Sequence, residues 1–497
     1  MPKFYITTAI AYVNSSPHVG FAMEVIQADV LARYYRAQLG DKNVFFLTGT
    51  DEHGSKIVQT AKQQGSETEY LVDKNAALFL ELAEKLHISN DFFIRTSSAE
   101  HRSGAQKMWH KLVQSGDVYK STYTGWYCVG CEAFVTETDL VDGKCTLHMK
   151  EPDRLSEDNY FFRLSKYSQK IADLIETDTL RIVPQSRRTE ILNMARKGFT
   201  DVSFSRPKAV LSWGVSVPDD PEHVMYVWCD ALSNYITALD YEHDGELFKR
   251  FWPADVHLIG KDILRFHAGV WIGMLLSAGL VLPKAIYVHG FITSEGQKMS
   301  KSLGNVVDPF EMVNKYGVDA LRYYLLREIP TTDDGDFSQR RFYELYQSDL
   351  ANNLGNLLSR VVSMTEKYFE GKIQVSGDPQ SYFPPYAVDK WRCIHDEYIR
   401  SINDFDLKKA LEVVMDFATF ANQYIENTKP WKLAKDNTKE LEKVLVCLLE
   451  MLRMLIELLS PFLPETARRM AEQMQFSSSG FKVKKGEALF PKLEEKK

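Results

Sequence analysis

The chain has 497 residues, 44% of them hydrophobic and 26% charged, which is enough apolar matter to bury the cores of about two to four domains. Its net charge of −7 excludes holding a polyanion by overall charge and leaves that task to local basic patches. Six cysteines are too few and too uneven for a disulfide scaffold. No basic-then-apolar N-terminal run marks a secretory signal, so a cytoplasmic protein is expected.

Phe4-Tyr5-Ile6-Thr7-Thr8-Ala9-Ile10 is rich in aromatic and β-branched residues and predicts a buried strand. Asn14-Ser15-Ser16-Pro17 predicts a turn, and His18-Val19-Gly20-Phe21 opens a helix whose apolar residues recur until Gly40. Val44-Phe45-Phe46-Leu47 supplies the next strand. Strand, glycine turn, helix and strand within about 45 residues fit a parallel crossover unit. Gly20 at the helix start lets a base or phosphate approach the backbone, where exposed N–H groups favour anions. His18 can donate a hydrogen bond to a phosphate there. Thr48-Gly49-Thr50-Asp51-Glu52-His53-Gly54 follows the second strand, where open parallel sheets hold their ligands.

Cys128-Val129-Gly130-Cys131 and Cys145-Thr146-Leu147-His148 are two x2 pairs joined by a short loop. Such pairs close a tetrahedral zinc site, and four protein ligands make it structural rather than catalytic. Cys229, Cys393 and Cys447 read as buried thiols. The sheet is expected to resume at Tyr226-Val227-Trp228-Cys229-Asp230 and to continue through Asp255 to Asp262, with His267 on the next helix. After the strand-like Ile286-Tyr287-Val288 comes Lys298-Met299-Ser300-Lys301-Ser302, bounded by Gly296 and Gly304. Two cations on a glycine-bounded loop suit a multiply charged leaving group such as pyrophosphate.

From about residue 340 helical patterns dominate: Leu350, Leu354, Leu357 and Leu358, then Val444, Leu448, Leu452 and Leu455. The apolar run from Val444 to Leu459 carries Glu450, Arg453 and Glu457 on one face, so it predicts a core helix and no membrane span. Asn356 and Arg360 stand one turn apart. Pro430-Trp431 marks a helix break whose ring could receive an unstacked base. Lys482, Lys484 and Lys485 lie in what reads as a frayed polar tail.

The turn at His18 and the loop at Lys298 together resemble the two signatures of the class I aminoacyl-tRNA synthetases, a His-Ile-Gly-His element and a Lys-Met-Ser-Lys-Ser loop. The second is matched in full. In the first, Phe21 replaces the last histidine, so one phosphate contact is missing or comes from elsewhere. From Lys3 to about Phe476 the chain is similar to the methionyl-tRNA synthetases. The resemblance implies an α/β fold, a Rossmann-like parallel sheet split by a zinc-bearing connective insertion, followed by an all-α anticodon-binding helix bundle. The expected divisions are 1–116 and 226–338 for the two halves of the catalytic domain, 117–225 for the insertion, 339–480 for the bundle and 481–497 for the tail. At about 110 residues the insertion is one small domain, too short for the editing domain of relatives that handle leucine, isoleucine and valine.

The same resemblance implies the site residues. His18, Lys298 and Lys301 are the expected catalytic groups. His18, Gly20, Phe21, Gly260, His289 and Gly290 are expected to bind ATP, with Lys298, Met299, Ser300, Lys301 and Ser302. Methionine falls to Ile10, Tyr12, Asp51, Trp228, Ala231, Leu232, Tyr235, Ile263 and His267, with Asp51 on its ammonium. Aromatic edges suit a thioether. Arg206 matches an arginine near the family's active site, and a surface salt bridge is its other reading. Asn356, Arg360, Pro430 and Trp431 are the anticodon readers, and Cys128, Cys131, Cys145 and His148 hold one structural Zn2+. ATP (with Mg2+), L-methionine and tRNA(Met) are the implied partners of a monomer, since the small dimerising β-barrel that some relatives append is not seen. Two other readings remain compatible with the motifs: a class I synthetase for another amino acid such as cysteine, and a tRNA-binding relative without ATP turnover.

Overall fold

The computed structural model describes residues 2–128, 133–135, 140–146, 149–299, 304–375, 377–477 and 480–493. Two compact units make up the chain: Met1–Pro17, Tyr35–Glu84 and Ile88–His289 form the first, and His18–Tyr34, Lys85–His87 and Gly290–Lys497 the second.

The first unit is built on a seven-stranded parallel sheet. Its strands run in the order Arg181–Val183, Ala285–His289, Val256–Gly260, Phe4–Thr8 and Val44–Asp51, and both Phe92–Arg95 and Ala11–Tyr12 pair with the last of these. Phe4–Thr8 is central and wholly buried, as its β-branched and aromatic composition requires. Its neighbours are Val44–Asp51 from early in the chain and Val256–Gly260 from late in it. Strand order therefore reverses at Phe4–Thr8, and the carboxyl ends of Phe4–Thr8 and Val256–Gly260 form the switch point where such sheets take ligands.

A four-stranded antiparallel sheet lies between the halves, dominated by Val118–Cys128 paired along its length with Asp153–Phe162. Arg181–Val183, also from within 117–225, joins the parallel sheet at its edge. Tyr226 to Asp230 does not resume the sheet as expected. Its amides turn back, Cys229 and Asp230 bonding the Tyr226 carbonyl at 2.8 and 3.2 Å, and Val227–Ala231 is a short helix. After Arg181–Val183, the next strand of the sheet begins at Val256.

In the second unit, Gln339–Leu345 continues through a π-helical stretch, Tyr346–Gly355, into Asn356–Phe369. Pro385–Asn403, Leu407–Thr428, Pro430–Asp436, Thr438–Leu459 and Pro464–Gln473 follow in chain order. The periodic leucines are buried. On Thr438–Leu459, Arg453 bonds both Glu450 and Glu457, which keeps the charged stripe satisfied. Among the described residues no helix is long and apolar enough to cross a membrane.

The described stretch from Gly480 to Leu493 is not the frayed tail that its lysines suggest. Gly480–Val483 pairs with Met474–Ser477 and with Lys372–Gln374. Phe481 and Val483 alternate inward between exposed lysines, and Leu489 and Phe490 are buried beyond them. Arg469 fixes that last segment by donating to the carbonyls of Ala488 and Leu489 at 2.7 and 2.8 Å.

Candidate active site

The helix Val19–Leu39 begins directly after His18. The Gly20 amide donates to Nδ1 of His18 at 3.0 Å. A nitrogen that accepts carries no hydrogen, so the ring hydrogen sits on Nε2. A Cβ at Gly20 would lie 2.7 Å from Cε1 of His18. Glycine is thus required for the imidazole to fold over the helix start, a reason sharper than the backbone access inferred above. His18 is exposed, whereas Phe21, in the place of the second signature histidine, is buried.

The lysine loop grows from a hairpin in the same unit as His18. Ile292–Ser294 pairs antiparallel with Gln297–Lys298 across Glu295 and Gly296, at φ 51° and 75°. Two successive left-handed residues make the tight turn that matches strand twist. Asp336 fixes it from the adjoining strand Gly335–Phe337, its Oδ1 accepting from the Gly296 amide at 2.8 Å and the Thr293 hydroxyl at 2.6 Å. The hairpin delivers the Lys298 backbone to the loop, and Met299 is half-buried. Ser300, Lys301 and Ser302 lie outside the described residues, as does the Lys298 side chain. Gly290 is constrained by something other than a ligand: a Cβ there would come within 2.2 Å of the Asp333 backbone.

The expected methionine residues belong to the first unit. Leu232 and Tyr235 are in its buried core, with Ile10, Trp228 and Ile263 partly buried against it, and Ala231 is buried beside them in sequence. Trp228 stacks on Phe266 with ring centroids 4.1 Å apart and meets His267 edge-on. His267 lies on a π-helical turn, Phe266–Trp271, a distortion that recurs at functional sites. Its Nδ1–H donates to the Ile263 carbonyl at 3.0 Å and its Nε2 accepts from the Tyr235 hydroxyl at 2.7 Å. Burial drives the His267 pKa down to about 4 despite the Ile263 bond, so the ring is neutral. His257, beneath Tyr235, is pushed well below its usual value by burial and then by His267. Thr7 and Trp271 satisfy its two nitrogens at 2.8 and 3.2 Å. The result is an aromatic, uncharged wall. His257 was not singled out from sequence, because an imidazole inside an apolar strand carries no local signal.

Asp51 ends its strand, in register with Tyr12, and is buried. Gly260 and His289 pair at the carboxyl ends of neighbouring strands, and a Cβ on Gly260 would lie 2.9 Å from Asp262 Oδ1. Arg206 is no surface salt bridge: it is buried, donates to Ser203 Oγ and the Ser205 carbonyl at 2.8 and 2.7 Å, and lies over the Tyr226 ring.

Of the four zinc candidates, Cys128 and Cys145 are buried in one small cluster with Val135. Cys131 and His148 lie outside the described residues, and among the described residues no group of three or more histidine, cysteine or carboxylate side chains is arranged to hold a metal ion. Cys229 and Cys447 are buried as expected, but Cys393 is exposed, on the solvent side of its helix.

In the second unit, Asn356 and Arg360 line a groove of about 490 Å³ with Asn352, Asn353, Asn422 and Gln423. Amide side chains both donate and accept, as base edges require. Arg360 is held by Glu426 at 2.6 Å. Lys429, at φ 50°, ends one helix, and Pro430 starts the next. Trp431 is 39% exposed and so is not a core residue of the bundle.

The family model for class I tRNA synthetases (M) matches residues 4–145 and 131–362, and that for the anticodon-binding domain of tRNA ligases matches 387–495. The methionine–tRNA ligase of Caldanaerobacter subterraneus is 44% identical over 99% of this chain and 79% of its own length. That of Brucella suis is 42% identical over 95% and 91%. The solved Mycobacterium tuberculosis methionyl-tRNA synthetase in complex with methionyl-adenylate superposes with a TM-score of 0.93 at 37% identity, over 99% of this chain and 100% of that one. The chain belongs to the methionyl-tRNA synthetases. Membership accounts for the parallel sheet, the lysine hairpin and the C-terminal helices together, and it removes the cysteine-type and non-enzymatic readings.

Proposed function

We propose that the residues above carry out methionine–tRNA ligation as follows. L-Methionine is activated by ATP: a carboxylate oxygen attacks the α-phosphorus, the bond to the β-phosphate breaks, and pyrophosphate leaves with methionyl-adenylate formed. The terminal ribose hydroxyl of tRNA(Met) then attacks the adenylate carbonyl, releasing AMP. Asp51 takes the substrate ammonium. Trp228, Tyr235 and His267 enclose the thioether, with Ile10, Tyr12, Ala231, Leu232 and Ile263 completing the pocket. What carries this reading is the neutral state of His267 and His257, since an apolar thioether is accepted only where no charge is desolvated.

His18 presents the Nε2 hydrogen to a phosphate oxygen. Lys298 and Lys301 stabilise the charge that develops on departing pyrophosphate, as preorganised donors do. Gly20, Phe21, Gly260, His289, Gly290, Met299, Ser300 and Ser302 shape the nucleotide site. Mg2+ enters with ATP as the counter-ion of its phosphates. Asn356, Arg360, Pro430 and Trp431 read the anticodon by amide hydrogen bonds and stacking.

One structural Zn2+ is proposed at Cys128, Cys131, Cys145 and His148. Burial of Cys128 and Cys145 in one cluster fits a closed thiolate site, whose metal ties the knuckles together and takes no part in the reaction. A single cytoplasmic chain is the proposed working unit. Methionine-dependent pyrophosphate exchange, compared with exchange driven by the other amino acids and repeated with a zinc chelator, tests the reading. Exchange driven equally by another amino acid would overturn it.

A further inference from the structure

Asp230 is wholly buried and is met by two imidazoles: Nδ1–H of His53 donates to Oδ2 at 2.9 Å, and Nε2–H of His101 to Oδ1 at 3.2 Å. The three residues come from three elements. His53 belongs to the turn after Asp51, Asp230 to the short helix that carries Trp228 and Ala231, and His101 to the helix Ala99–Gln114. Burial alone would favour a protonated carboxyl, yet the histidines outweigh it and hold Asp230 below its ordinary value. It is therefore a carboxylate, able only to accept, and both facing nitrogens must carry hydrogens.

The same turn is pinned elsewhere. The Trp213 indole donates to the Glu52 carbonyl at 2.6 Å, and the Glu52 carboxylate, fully buried, receives Arg95 and Thr50 at 2.7 Å each. The His53 amide in turn reaches Asp51 Oδ1 at 3.4 Å. His101 is backed by Thr237 at 2.9 Å, on the segment after Tyr235. Gly104 lets that segment approach, since a Cβ there would lie 2.4 Å from Thr237 Cγ2. Nε2 of His53 is buried with no partner among the described residues. Asp230 is thus the one described side chain that orients this ring by a hydrogen bond.

We infer that Asp230, acting through His53 and His101, is a positioning residue for methionine: it locks the turn bearing the ammonium-binding Asp51 to the helix bearing Trp228. This rests on the proposed roles of Asp51 and Trp228, and it adds three residues that touch no substrate. Slack between two walls of a pocket is felt in substrate affinity before it is felt in chemistry.

The test is pyrophosphate exchange by the full chain with its variants, with KM for methionine and for ATP measured separately. His53→Ala is expected to raise the methionine KM ~10-fold with the ATP KM changed less than about twofold. His53→Asn keeps a donor where Nδ1 stood and is expected to restore the methionine KM to within about threefold of the parent. A role in stability alone would lower the active fraction and leave that KM where it was, which would overturn the inference. If His53→Ala does not fold, Asp230→Asn, equal in shape, carries the same comparison. Asp51→Asn is the control. If it leaves the methionine KM unchanged, the pocket assignment fails first; if it raises KM while the His53 and Asp230 variants do not, the link alone fails.

Discussion

The Tyr235 hydroxyl donates to Nε2 of His267 at 2.7 Å while the Ile263 carbonyl holds the hydrogen on Nδ1, so the tautomer of this ring is fixed from both sides. Tyr235→Phe removes one donor and leaves a buried lone pair unsatisfied, a cost of about 1–3 kcal/mol. The expected result is a fall of ~10-fold or more in kcat/KM for methionine during exchange, with the ATP KM unmoved. An unaltered methionine response would remove the pair from substrate recognition.

The pKa of His267, about 4 in the fold against an ordinary 6.5, makes stability depend on pH. Above 6.5 the ring is neutral folded or unfolded, and its full contribution is present. Between 6.5 and about 4 the unfolded chain takes up a proton that the folded one refuses, so stability is lost as pH falls. Urea unfolding should therefore show the parent losing stability relative to His267→Asn as pH falls from 6.5 to about 4. Parallel pH profiles would show that the ring is not held neutral.

Lys301→Ala is expected to slow exchange by ~100-fold with methionine affinity nearly unchanged, the signature of a group that acts on the transition state. Near-normal exchange would take Lys301 out of the phosphate site.

Metal analysis of the purified chain is expected to give one zinc, and Cys145→Ala to lose it. With the knuckle opened, the melting temperature should fall while the methionine KM holds. A chain that binds no zinc at full activity would refute the knuckle.

Trp431→Ala should lower aminoacylation kcat/KM with tRNA(Met) by ~10- to 100-fold, the usual range for one lost stacking platform. Exchange, which needs no tRNA, is expected to continue at the parental rate. Equal losses in both assays would point to misfolding of the bundle instead.

Local patterns were readable where a short stretch carries both its shape and its chemistry. The strand before Asn14, the helix start at His18 and the stop at Gly40 are of this kind, and so is the glycine turn that precedes Lys298. What escaped was set by distant partners. Tyr226 to Asp230 has strand-like composition, yet bonds to the Tyr226 carbonyl make it a helix. The stretch from Gly480 to Lys485 looked like a polar tail because it holds three lysines and only two apolar residues, and the pairing partners of Gly480–Val483 are Lys372–Gln374 and Met474–Ser477. The Asp230 cluster draws on residues 53, 101 and 230, a grouping no window of sequence can show.

The register of the central strand also bears on how the protein is made. Tyr5 bonds Asp255 across 250 residues, so Phe4–Thr8 leaves the ribosome long before its second neighbour exists. At synthesis rates of about 5–20 residues per second, that edge stays open for roughly ten to fifty seconds. Throughout that interval the nascent polypeptide displays an apolar strand with a bare hydrogen-bonding edge, the kind of surface that chaperones shield and that crowded polysomes turn into aggregates.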